Sequence, residues 1–228
     1  MILPRLHLTA CALVASALAA PGAILLSTDF SGRSVAGKTA NDVVWTSNGL
    51  SAPSSLTAVD EAPTSGAFSA LFDTASSQGH FAPDKNIGNE GPWSATIPVT
   101  LTTPQVSLES VDIDWQHFTN SGTLQGPARG VRWTVTVTGS LSGLLANGTA
   151  SASADAVSGI NNVAFAAPLA LDNSETYDIR IFVENNGNTI GNNTGFDGLS
   201  FNGEVIPEPS SLSMLGLGIF GLILRRRR

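Results

Sequence analysis

The sequence predicts an all-β protein, an antiparallel β-sandwich of jelly-roll-like build, framed by an N-terminal signal peptide and a C-terminal transmembrane helix. Three observations predict it. Segments such as 93–101 and 131–138 alternate apolar and polar residues with a period of two, which puts one face of a strand in a core and the other in water. Asn-Gly pairs at 48–49, 147–148 and 202–203 accept positive φ and are read as turns. Between residues 24 and 203, no stretch repeats apolar residues at helical spacing over three turns.

Taken in order, the chain opens with Arg5 and His7, an apolar stretch over 8–20 and the small residues Ala17-Leu18-Ala19, the pattern of an export signal over 1–19 that signal peptidase removes. Leu8-Thr9-Ala10-Cys11 loosely matches a lipoprotein box, but too few apolar residues precede Cys11 and the hydrophobic region runs on past it. Cys11 is the only cysteine, so the mature protein has no disulfide framework and must be held by its core.

The ectodomain is placed at 24–203. From Ile24 to Glu208 there are six Lys and Arg against eighteen Asp and Glu, a formal charge of −12. Such a surface repels polyanions, which argues against nucleic acid and anionic lipid as direct partners. Charged residues are only 13% of the chain, about half the usual share, and Ser, Thr, Asn, Gly and Ala dominate. That is the balance of extracellular β-domains with hydroxyl-rich strand exteriors.

The longer strands are expected at 93–101, 111–115, 131–138 and 177–181, and shorter ones at 24–30, 42–46, 67–72, 149–156, 162–166 and 199–205. Pro98 donates no ladder hydrogen bond, so its strand is expected at a sheet edge or with a bulge. Residues 185–188, Asn-Asn-Gly-Asn, read as a loop.

Residues 204–211 read as a tether, and 212–228 as a membrane helix with a basic tail. The apolar run 212–224 is interrupted only by Ser213 and three glycines. Arg225, Arg226, Arg227 and Arg228 resist crossing hydrocarbon and hold that end on the cytoplasmic side. At about 1.5 Å per residue, 210–224 spans roughly 22 Å, short of the roughly 30 Å of a bilayer core. Such a segment suits a temporary anchor.

Val205-Ile206-Pro207-Glu208-Pro209, the apolar run and the terminal arginines, in that order, closely resemble the PEP-CTERM sorting signal of Gram-negative envelope proteins. The resemblance implies recognition by an exosortase, an integral-membrane cysteine-type transpeptidase. It also implies processing near the tripeptide and delivery to the cell surface or the extracellular polysaccharide matrix. Pro207, Glu208 and Pro209 are then substrate residues. The resemblance assigns no activity to the remainder of the chain.

The interior gives no catalytic set. The mature histidines are His80 and His117, and neither G-x-S-x-G nor H-E-x-x-H occurs. Asp112 and Asp114 share one strand face about 7 Å apart, a spacing open to paired carboxylates in glycoside hydrolysis but more often that of a solvated surface. Asp84, Asn86, Asn89 and Glu90 offer hard-oxygen ligands for Ca²⁺ in a glycine-rich loop without EF-hand spacing, and Asp197 before the last strand is a further candidate. An ordinary polar loop explains the first four as well. Trp93, Trp115 and Trp133 fall on the apolar phase and are expected in the core, which leaves Trp45 as the candidate platform for stacking a ligand.

The expected function is that of an exported, C-terminally sorted envelope or extracellular-matrix protein with a non-catalytic ectodomain and no resident cofactor. The alternatives are a carbohydrate-binding module, with extracellular polysaccharide as partner, or a jelly-roll glycoside hydrolase or lyase.

Overall fold

The computed structural model describes residues 22–32, 34–36, 39–62, 80–83, 87, 91–118, 130–152, 156–186 and 193–207. They form β1 (Ala23–Thr28), β2 (Ser34–Ala36), β3 (Thr39–Asn41), β4 (Thr46–Ser47), β5 (Leu50–Ser51), β6 (Leu56–Asp60), β7 (Trp93–Leu101), β8 (Gln105–Phe118), β9 (Val131–Gly139), β10 (Gly143–Ser151), β11 (Ser158–Asp172), β12 (Tyr177–Asn185) and β13 (Asn193–Val205). Every pairing is antiparallel. One sheet has the order β11-β8-β13-β1-β4, and the other runs β10-β9-β12-β7-β6-β3-β2 with β5 also on β7. Most connections cross from one sheet to the other, and both sheets pack on one core.

The alternating sequence explains the layering. In β9, Val131, Trp133, Val135 and Val137 are fully buried while Arg132 and Thr138 are exposed. In β8, Val111, Ile113 and Trp115 point inward and Asp112, Asp114 and Gln116 outward. Trp93, Trp115 and Trp133 all lie in the core, where Trp115 and Trp133 sit with ring centroids 6.2 Å apart and Trp133 and Phe196 at 5.7 Å. Phe196, Phe81 and Phe30 continue this aromatic row as near-parallel rings 5.9 Å apart.

Several local expectations change. Asn147-Gly148 is not a turn but the middle of β10, where Gly148 pairs with Val135. The hairpin before it closes instead at 140–142, with Gly143 at φ +74°. Gly148 is there because the opposing sheet comes close: a Cβ would lie 2.6 Å from the Ala164 carbonyl oxygen. Asn202-Gly203 likewise sits inside β13 at a bulge, with the Ser107 carbonyl oxygen 1.9 Å from where a Cβ would be. Asn48-Gly49 does turn the chain, as a corner carrying it from β4 in one sheet to β5 in the other, with Gly49 at φ +113°.

Pro98 lies in an inner strand, not at an edge. One side of β7 pairs along β12; the other is covered by β6 at 93–95 and by β5 at 100–101, and Pro98 falls in the gap between them. Of the stretch 42–46, only Thr46 is in a strand. β13 runs through Val205, two residues into the expected tether, and Ile206 N–H still donates to Gln105 O at 3.0 Å.

The expected strand at 67–72, the export signal at 1–19 and the membrane helix at 212–228 lie outside the described residues. Among the described residues no helix is long and apolar enough to cross a membrane.

Candidate functional site

The outer face of the five-stranded sheet carries the site. Asn162 on β11, Asp112 on β8, Ser200 on β13, Ser27 on β1 and Thr46 on β4 are successive register partners. A single line of hydrogen-bonding side chains therefore crosses all five strands, about 19 Å at roughly 4.8 Å per strand. The line is held at Asp112: Asn162 Nδ2 donates to Oδ1 at 2.6 Å and Asn202 Nδ2 to Oδ2 at 2.8 Å. Both amides also reach Ser110 Oγ, at 3.0 and 3.4 Å.

One step along the strands, Ile160, Asp114 and Gly198 form the next line. Gly198 keeps the floor low, since a Cβ would lie 3.3 Å from the Thr28 carbonyl oxygen. Asp197 occupies a bulge in β13 and accepts a hydrogen bond from Gln116 Nε2 at 2.8 Å. The result is an open groove of about 800 Å³ with a polar floor. Its flanks carry Ile160 and Val44, whose side chains are 68% and 66% exposed.

The groove is acidic. Asp29, Asp112, Asp114 and Asp197 line it, and among the described residues no Lys or Arg does. Among the described residues the arginines Arg132 and Arg180 belong to the other sheet, where they pair with Glu184 and Glu61. Partial burial pushes the Asp114 carboxyl above its usual range. Burial does the same to Asp197, and the charges of Asp114 and Asp29 add to it against the Gln116 hydrogen bond. Asp29 goes the other way, held low by the Ser31 hydroxyl and backbone N–H.

The expected site residues fall in different places. Asp112, Asp114 and Asp197, far apart in sequence, are brought into one groove. Trp45 is half-buried, its ring edge against Phe30 at 6.4 Å, tilted on Phe201 at 6.3 Å, and its indole N–H donates to Pro53 O at 2.8 Å. Pro207 is exposed just beyond β13. Asp84, Asn86, Asn89, Glu90, Glu208, Pro209 and the four terminal arginines lie outside the described residues. His117 and His80 are buried and do not face the groove; His117 Nδ1 is 2.7 Å from Thr194 Oγ1, and His80 stacks on Phe118 at 4.3 Å. Among the described residues no three His, Cys, Asp or Glu converge to hold a metal ion.

The match that decides how the chain is classed is at its end. Residues 205–228 match the PEP-CTERM protein-sorting motif. The chain is an exported, envelope-sorted protein. That motif covers the tail alone, and no curated protein matches the sequence. Solved structures that align with the chain include the family 11 carbohydrate-binding module of a Clostridium thermocellum cellulosomal cellulase, at 11% identity over 82% of this chain and 97% of that one, TM-score 0.37. A xylan-binding module of family 15 aligns at 12% identity over 77% of this chain and 100% of that one, TM-score 0.34. An α-L-arabinofuranosidase aligns at 12% identity and TM-score 0.35 over 80% of this chain, which spans 27% of that enzyme. At these values the likeness says nothing of a ligand.

Asn162, Asn202, Ser27, Asp29 and Gly198 are site residues that sequence reasoning missed. Asn202 was hidden by its neighbour Gly203, because Asn-Gly reads as a turn. The outward phase of the strands was the available signal, but only pairing brings five strands' polar positions into line.

Proposed function

We propose that this sorted envelope protein is a non-catalytic component of the cell surface or extracellular matrix that holds a neutral polysaccharide along the groove of its five-stranded sheet. The observation that carries the reading is the line from Asn162 to Thr46. It is a row of amide, carboxylate and hydroxyl groups that matches the alternating donors and acceptors of a sugar chain, with Ile160 and Val44 at its flanks for sugar C–H faces. The four carboxylates repel an acidic polymer and accept hydrogen bonds from neutral hydroxyls.

The test is affinity electrophoresis of the secreted protein in gels containing neutral or uronic-acid polysaccharides. The wild type is expected to be retarded by a neutral polymer and not by an acidic one. Gly198→Val, which raises the floor, and Asp112→Ala, which releases both asparagine amides, should each weaken retardation at least tenfold. Equal retardation of all three proteins would place the ligand elsewhere.

One observation favours a second reading. Asp114 and Asp197 share the groove with raised affinities for a proton, a property useful to a glycosidase acid. Release of reducing ends from any polysaccharide, lost in Asp197→Asn, would replace the binding role by hydrolysis. A resident metal is not part of the proposal. A melting temperature raised by millimolar Ca²⁺ and lowered by chelator would introduce one, with Asp84, Asn86, Asn89 and Glu90 the first ligands to change.

A further inference from the structure

The sorting motif begins inside the fold. Val205, its first matched residue, pairs with Val106 on β8, and its side chain packs beneath the Asn48-Gly49 corner, where a Cβ on Gly49 would lie 3.1 Å from Val205 Cγ2. Ile206 is bonded to Gln105, and Pro207 is the first residue past the ladder. An enzyme that grips the Pro207-Glu208-Pro209 tripeptide therefore works within a few residues of the sheet's end. A protein-sized partner there cannot avoid touching that end. From Pro207 to the apolar run at Leu212 there are five residues, about 18 Å at full stretch, which sets the same limit on the membrane side.

The end itself is built for contact. β1 starts there, with Ala23 opposite Gly203, so both ends of the domain leave from the same side. The turn at 102–104 precedes Gln105, the partner of Ile206; Asn173 N–H donates to Pro104 O at 3.1 Å, and Leu101, Ser140, Leu141 and Glu175 line one hollow beside it. Leu141, at the tip of the β9–β10 hairpin, is 81% exposed, the most exposed large apolar side chain among the described residues, and Leu144 beside it is 65% exposed. The tip is fixed by Glu175, whose carboxylate accepts from Leu141 N–H at 2.6 Å, Ser142 N–H at 3.1 Å and Ser142 Oγ at 2.6 Å. An apolar residue on a pre-ordered hairpin is a ready anchor for a partner. Asp172, Glu175 and Glu204 give this end a negative charge, with no Lys or Arg there among the described residues, so an anionic lipid surface is a poor match.

We propose that this end of the sandwich, with Leu141 as its anchor, is a docking surface for the membrane-embedded exosortase, which reads the folded domain together with the tripeptide. The proposal rests on the sorting role of the tail and is independent of what the groove binds.

The experiment follows processing of the full chain in a host that supplies the exosortase, read as the ratio of cleaved to uncleaved protein by intact mass after a short induction. Leu141→Asp should lower the cleaved fraction at least fivefold, with Leu141→Met near wild type and unchanged melting temperatures for both. Ten Gly/Ser residues inserted between Ile206 and Pro207 remove the enforced proximity, so the insertion should slow processing and make it insensitive to Leu141→Asp. Wild-type rates for both Leu141→Asp and the insertion would overturn the docking surface, leaving a tripeptide read alone. A wild-type chain that keeps Arg228 would instead overturn the sorting role itself.

Discussion

Asp197 shows how one residue can serve a site at the expense of the fold. Partial burial, aggravated by Asp114 and Asp29, raises its proton affinity in the folded state. A carboxyl with a raised folded pKa contributes stability when protonated and loses it as the pH rises through that pKa, so at neutral pH its charge is a liability. Asp197→Asn keeps an acceptor for Gln116 and removes the charge. It should raise the melting temperature at pH 7 and leave it unchanged at pH 3, where aspartate and asparagine are both neutral, as scanning calorimetry at the two values will show. Gly203 illustrates the opposite constraint, one of space. A Cβ would meet the Ser107 carbonyl at 1.9 Å, and that oxygen belongs to the backbone of the neighbouring strand. Gly203→Ala should therefore cost about 3 kcal/mol, measured from the urea midpoint, because two ladders must shift to admit one methyl group.

At the scale of elements, the β9–β10 hairpin depends on a residue from another connection. Glu175, between β11 and β12, supplies the acceptors for two backbone N–H groups of the turn, and the Ser142 hydroxyl and these N–H groups hold its carboxyl below the usual glutamate range. Glu175→Ala should leave the global transition nearly unchanged while Leu141 and Ser142 amides exchange faster with deuterium. Strand positions were legible in this chain because alternation is a local property. The observed β7 matches the expected 93–101, and β9 and β12 extend their expected segments by one and four residues. What misled was turn chemistry. Asn147-Gly148 and Asn202-Gly203 look like hairpin pairs, yet their glycines exist for close approach between strands, a requirement set by neighbours distant in sequence. Pro98 misled for the same reason, since a gap between two short partner strands tolerates a missing donor as well as an edge does.

For the whole molecule, the candidate groove and the sorting tail lie toward opposite ends of the five-stranded sheet. The groove opens around Asp29, Asp114 and Asp197, where β1 ends and β13 begins, and the tail leaves from the other end beside Ala23. The proposed polysaccharide would thus lie away from the sorting tail. The carboxylates also set a collective pH response. From neutrality down toward the ordinary Asp range near pH 4, Asp114 and Asp197 take up protons first and stability should rise. Below it, Asp29, Asp172 and Glu175, all with lowered affinities for a proton, lose their hydroxyl and N–H partners and stability should fall. Melting temperature plotted against pH is expected to pass through a maximum on the acidic side of neutrality, and a monotonic fall from pH 7 would contradict these shifts.

The sequence by itself determined that this chain is all-β, that Trp93, Trp115 and Trp133 are core and that its tail is a sorting signal, because alternation and a linear motif are both written in consecutive residues. Only the tertiary structure decided which polar positions meet. Asp112 and Asp114 were legible as a pair on one strand face, but Asp197 looked like an unrelated calcium candidate until β8 and β13 were paired in register. Asn162, Ser200, Ser27 and Thr46 could join them only once five strands from both ends of the chain were ordered in one sheet. A groove across a sheet is a property of strand order, and strand order is set by which faces bury one another, a global competition that no local pattern encodes.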